Sequence, residues 1–192
     1  RRLPEARAMY EAVLDVEPWH RDALLGLADL EYRRARYAEG LVLVRRALQL
    51  DTYDAEANFI AGNLYAAVGD DLNARETYGW ASRATAYRSI AYQQLAALEL
   101  RSGRIHDALR YAGLALDYDA YALPGYHASA VIARLQGDEE AWQGALDRIS
   151  ELDPMSHVPV VERWLADGSS SRGARTLEAR SEEHTSELQS PC

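Results

Sequence analysis

Apolar residues recur along this chain at two interlocking spacings. Over short stretches they fall three and four apart, as in Tyr37, Leu41, Val44 and Leu48, or Ile105, Leu109, Ala112 and Leu116. That spacing gathers them on one face of a helix. Over longer distances Trp19, Tyr53, Tyr87 and Tyr121 lie 34 residues apart, and Gly69, Gly103 and Gly137 share the interval. Two unrelated residue types keeping one period mark an internal repeat. Rows 21–54, 55–88, 89–122 and 123–156 follow, preceded by a half row, 1–20, and followed by a terminal helix, 157–168. Each row predicts two helices, and no stretch alternates as a strand would, so the ordered region reads as all-α.

Small residues mark where the paired helices approach. The first helix of each row carries Ala28, Gly62, Ala96 or Ala130; the second carries Gly40, Ala74 or Ala108, then Ala47, Ala81 or Ala115. A side chain larger than methyl at these places would push the helices apart. Gly69, Gly103 and Gly137 are expected to end first helices, where a left-handed residue is least costly for glycine. Pro4, Pro124 and Pro159 fall in expected first turns and Pro18 and Pro154 between helices, so no proline interrupts a helix interior. The last row departs from the pattern, with Trp142 and Ile149 where alanine is expected. A one-residue deletion in the turn 137–140 would give the first small position to Ala141 instead, and the pattern favours it.

These residues resemble the tetratricopeptide repeat (TPR) family. The half row supplies Ala6, Tyr10, Val13 and Pro18. The following rows supply Leu24, Leu27, Ala28, Gly40, Val44 and Ala47, then Gly62, Tyr65, Ala74, Tyr78 and Ala81, then Tyr92, Leu95, Ala96, Ala108 and Ala115. The resemblance covers residues 1–168 and implies a right-handed α-solenoid of helix-turn-helix units whose first helices line a concave groove. The groove positions it implies are Asp22, Leu25, Asp29, Tyr32, Glu56, Phe59, Asn63, Gln93, His127 and Arg134. Gripping a carboxylate terminus, a well-known use of the family, is disfavoured because Leu25 and Asp29 stand where a lysine and an asparagine are wanted. Segments 86–92 and 152–157 also resemble a bacterial family in which such an array follows a β-rich, carbohydrate-associated region.

Composition narrows the chemistry. The chain of 192 residues has a net charge of -9, and its 21 basic residues are all arginine. Lysine chemistry is absent, and an acidic surface repels phosphate backbones, which opposes nucleic-acid binding. No apolar run is long enough to cross a membrane. The single cysteine, Cys192, excludes disulfides and cysteine metal sites within the chain. His20, His106, His127, His157 and His184 form no ligand-spaced pair, and Asp70–Asp71 and Asp117–Asp119 read as turn residues rather than catalytic acids. No catalytic, cofactor or metal site is therefore expected.

The aromatic series Trp19, Tyr53, Tyr87 and Tyr121 should lie along one edge at the joints between units, either packing those joints or contacting a ligand. The expected function is a non-enzymatic protein-interaction scaffold. It would present its groove to a basic or apolar segment of another protein or domain. The alternative is an accessory TPR region of a larger bacterial carbohydrate-active protein, with catalysis outside this fragment. The chain starts without methionine, inside what should be a second helix, so a partner helix is expected upstream. Residues 169–192 read as a flexible linker and tail, with 180–190 resembling a translated sequencing adapter.

Overall fold

A computed structural model describes residues 3–169, which carry ten helices and no strand: α1 (Leu3–Val16), α2 (Arg21–Arg33), α3 (Tyr37–Leu50), α4 (Ala55–Ala67), α5 (Asp71–Ala81), α6 (Arg88–Arg101), α7 (Ile105–Tyr118), α8 (Leu123–Gln136), α9 (Glu139–Leu152) and α10 (Val158–Ser169). Ser169, expected to open the linker, closes α10 instead, and the adapter-like tail lies outside the described residues. The described chain divides into two compact units, 3–128 and 129–169.

In the first unit α2 packs on α3, α4 on α5 and α6 on α7, and each such pair stacks on the next through α3 with α4 and α5 with α6. This is an all-α helical-repeat solenoid. Its core runs between successive pairs as Leu24, Leu25, Ala28, Leu41, Val44, Ala47, Ala57, Ala61 and Leu64, then Ala74, Tyr78, Leu95 and Leu98, then Ala96, Ala112 and Ala128. The small residues are where the helices come closest. A Cβ on Gly40 would stand 2.7 Å from a Leu64 methyl, and one on Gly62 would stand 2.5 Å from the Tyr78 ring. Ala74, Ala81, Ala108 and Ala115 have no exposed surface.

First helices end alike. The backbone N–H of Gly69, Gly103 and Gly137 reaches back three residues, the next N–H reaches back five, and φ is +79°, +72° and +72°. This closure satisfies carbonyls left over at a helix end and needs a left-handed residue. The first row closes the same way with Ala35, at φ +57°. An alanine there carries a Cβ clash that glycine lacks.

In the second unit Ile132, Trp142, Leu146 and Ile149 are buried, and Arg134 of α8 donates to Glu162 of α10 at 2.7 Å. The deletion expected in the turn 137–140 is not present. Ala141 is exposed while Trp142 and Ile149 take the inward positions. The 34-residue register continues unbroken, and larger side chains fill the place of the alanines.

Two glutamates are buried on first helices, Glu31 and Glu99, each no more than 2% exposed. Glu31 meets Arg36 at 2.5 Å and Arg7 at 3.6 Å; Glu99 accepts from Arg75 at 2.6 Å and from Arg104. Arg7 and Arg75, Glu31 and Glu99, and Arg36 and Arg104 are all 68 residues apart. The intervening row has Leu41, Tyr65 and Asp70 in these places, and Asp70 caps α5 by accepting from the Asn73 N–H at 3.2 Å. Rows therefore alternate between an ionic clamp and an apolar contact with a helix cap. Burial alone would push the Glu99 carboxyl up, but the hydrogen bonds from Arg75 and Arg104 outweigh it and hold the group below the usual carboxylate range.

Two predictions follow from these contacts. Ala35→Gly should raise stability by about 0.5–1 kcal/mol, because relief of the left-handed strain exceeds the added freedom of the unfolded chain. Denaturant unfolding checks it, with a loss of stability as the contrary result. Glu99 contributes stability above the ordinary carboxylate range, and that contribution is lost as pH falls through its depressed folded value. Glu99→Gln should therefore cost about 1–3 kcal/mol at pH 7. The gap to the parent chain should narrow below about pH 4.5, the ordinary carboxylate value. A gap independent of pH would contradict the clamp.

Candidate functional site

The first helices α2, α4 and α6 carry side chains that converge on one small cavity of about 170 Å³. Ala66, Ala67, Ala97 and Leu98 supply apolar wall, and Tyr32, Asn63, Gln94 and Arg101 supply polar groups, with Tyr78 of α5 between them. The cavity lies where α4 offers alanines beside Asn63 and Gly62 lets the Tyr78 ring come close to the α4 backbone. The Tyr78 hydroxyl donates to Asn63 Oδ1 at 2.8 Å. That bond fixes the amide and leaves its two N–H hydrogens to donate elsewhere. Burial, with a smaller contribution from Tyr32, pushes the Tyr78 phenol up, so it stays protonated. Tyr32 leans on Tyr37 with ring centroids 5.9 Å apart. Arg101 is well exposed, 4.0 Å from Asp71. Such a site can take one apolar side chain and donate hydrogen bonds to carbonyl or carboxylate oxygens beside it.

The sequence-derived groove residues fare unequally. Tyr32 and Asn63 line the cavity, whereas Gln93 is turned aside, donating to Ser89 Oγ at 3.2 Å, and its neighbour Gln94 takes the wall position. Leu25 is 2% exposed and belongs to the core between α2, α3 and α4, which corrects its placement in the groove. Phe59 is half-buried, its ring centroid 5.9 Å from Tyr78 and 5.6 Å from Tyr87, so it supports the cavity's Tyr78 from behind. The acidic residues are each held by an arginine. Arg21 donates to Asp22 at 2.7 Å and to Glu56 at 2.9 Å, and also binds Asp54, while Arg33 donates to Asp29 at 2.7 Å. His127 is half-buried on α8, and Arg134, in the second unit, is engaged by Glu162.

Sequence reasoning missed Tyr78, Gln94 and Arg101. Tyr78 belongs to the repeat pattern of a second helix, and Arg101 to no motif. The signal available for Arg101 was its position two residues before Gly103, which puts it on the last turn of a first helix, as Tyr32 is in its own row.

The aromatic series divides as well. Arg46 covers the Trp19 ring at 5.4 Å, Tyr53 packs on Trp80 at 4.6 Å, Tyr87 packs on Phe59, and Tyr121 is exposed. His20 caps α2 by accepting from the Ala23 N–H at 3.3 Å. Among the described residues no three His, Cys, Asp or Glu side chains gather as metal ligands, and no helix is long and apolar enough to cross a membrane.

No protein-family model matches the chain, and no curated protein does. Solved structures do resemble it. PilW, a widely conserved type IV pilus biogenesis factor, matches with TM-score 0.79 at 16% identity over 98% of this chain and 87% of its own. MamA matches with TM-score 0.71 at 17% identity over 79% and 89%, respectively. YrrB, described as a TPR protein with an unusual peptide-binding site, matches with TM-score 0.67 at 16% identity over 84% and 83%. The fold is therefore that of the tetratricopeptide-repeat proteins.

The close approach under Tyr78 makes a paired prediction. Gly62→Ala should destabilise by about 1–2 kcal/mol, because overpacking against a hydrogen-bonded ring exceeds the gain in helix propensity. Gly79→Ala, with nothing within 4 Å of the added Cβ, should stabilise by about 0.5–1 kcal/mol. Thermal melts of both variants decide it, and equal shifts would mean that the Tyr78 ring is not held against Gly62.

Proposed function

We propose that the chain is a protein-interaction scaffold and that the cavity among α2, α4 and α6 receives a segment of another protein or domain. The observation that carries this reading is the convergence of three successive first helices on one cavity lined by apolar wall and by the polar groups of Tyr32, Asn63, Gln94 and Arg101. An apolar side chain of the partner would enter against Ala66, Ala97 and Leu98. Its backbone carbonyls would accept from Asn63, Gln94 and Arg101. The fold likeness supports the reading, and one of the similar structures, YrrB, is itself described as having a peptide-binding site.

Because Asp22, Asp29 and Glu56 are held by Arg21 and Arg33, selection of a basic partner would come from the net charge of -9 rather than from these side chains singly. The segment is accordingly read as apolar at its anchor, with any basic character felt in the rate of encounter.

The test is to titrate a captured and identified partner against single variants, each checked by thermal melt. Tyr32→Ala, Asn63→Ala and Arg101→Ala should each weaken binding by about 1–2 kcal/mol, while the exposed Arg45→Ala and Arg110→Ala should change it by well under about 1 kcal/mol. Equal affinities across both groups would remove the cavity from the interface.

A further inference from the structure

A second site lies at the joint between the first two full rows. Helix α5 has eleven residues where α3 and α7 have fourteen, so the last turn present in its counterparts is missing. Arg88 fills the place left by that turn. Its guanidinium donates to the carbonyls of Ser82 at 3.1 Å and Arg83 at 3.0 Å, standing in for helical N–H groups. The shortened end leaves a slot of about 420 Å³ lined by Tyr53, Trp80, Arg83 and Ala84.

The slot is built from two rings and a cation. Tyr53 is 65% exposed and meets Trp80 with centroids 4.6 Å apart and planes tilted by 52°. The Arg83 guanidinium lies over the Trp80 ring, 3.9 Å from its centroid. Stacking uses the face of the guanidinium and leaves its in-plane N–H donors pointing outward. Among the described residues no carboxylate is within ion-pair distance of Arg83, whereas Arg75 and Arg101 are paired with Glu99 and Asp71. A fixed cation beside exposed aromatic surface in an acidic protein is a site for an anion with an apolar plane.

We propose that Tyr53, Trp80 and Arg83 bind a small aromatic carboxylate. Its ring lies against Tyr53 and the edge of Trp80, and its carboxylate accepts from the Arg83 guanidinium, a pairing that favours planar, two-pronged contact. The slot's volume falls within the range of small-molecule sites. Its lining comes from one joint only, which suits a compact molecule rather than an extended chain. This inference does not rest on the groove reading, since no residue is shared with the cavity among α2, α4 and α6.

The probe is 3-phenylpropanoate added to the full chain, read by the indole N–H resonance of Trp80, which Trp80→Phe assigns among the four tryptophans. A saturable shift is expected. The neutral 3-phenylpropanamide and the non-aromatic 3-cyclohexylpropanoate should each bind at least about fivefold more weakly. Arg83→Gln should weaken the acid by about fivefold or more and leave the amide unchanged, with only a small drop in melting, because Arg83 is exposed and loses its stacking on Trp80 but no carboxylate partner. No saturable shift, equal binding of acid and amide, or an unaltered response in Arg83→Gln would overturn the assignment. So would a capped tripeptide ending in phenylalanine that binds about tenfold more tightly than the free acid, since the occupant would then be a polypeptide.

Discussion

Everything in this protein depends on how closely two helices can lie. At Gly40 and Gly62 the backbone of one helix meets side chains of the next with no room for another carbon, and Ala74 and Ala108 are wholly buried in the same contacts. Close approach keeps the large residues Leu24, Leu64, Leu95 and Tyr78 in contact across each joint, which is where the apolar burial accumulates. It also sets the spacing between first helices, and hence the size of the cavity that opens beside Asn63.

Polar groups inside such a stack must be satisfied locally, because each row touches only its neighbours. The protein does this in two ways that alternate. One row sinks a glutamate between an arginine of the helix before it and one in the turn after it, and the next uses an aspartate to cap a helix start. The clamp ties the end of a first helix to the start of the second, whereas Asp70 holds the start of α5 alone. The two surface sites use what this arrangement leaves over. Asn63 has spare amide hydrogens because its oxygen is occupied by Tyr78, and Arg83 has spare donors because its guanidinium rests on a ring instead of a carboxylate.

The repeat period made the helices, their glycine ends and the small-residue contacts legible from sequence, since each is a local rule applied again every 34 residues. What escaped was whatever broke the residue type while keeping the geometry. Ala35 hides a left-handed position that glycine announces in later rows, and Trp142 fills an alanine place without shifting the register. Leu25 was assigned to the groove by likeness to a family, but it lies in an unbroken apolar stretch of α2, residues 23–28, and is buried with Leu24 and Ala28. Gln94 gave no signal, because an exposed polar residue at helical spacing looks like any other until neighbouring helices are laid beside it, and Arg101 gave only its place before Gly103. Glu31 and Glu99 could have been found, had the spacing of 68 been sought along with that of 34.

That longer spacing means that the natural unit of this array is two rows. Excising a single row, 55–88, would bring Leu41 to the place of Arg75 and leave Glu99 buried beside a methyl group, with only Arg104 to answer its charge. Excising two rows, 21–88, would instead bring Arg7 to that same place and reconstitute the clamp. A cut in such an array is electrostatically silent only where the row that precedes a buried glutamate still brings its arginine, so which row is removed matters as much as how many.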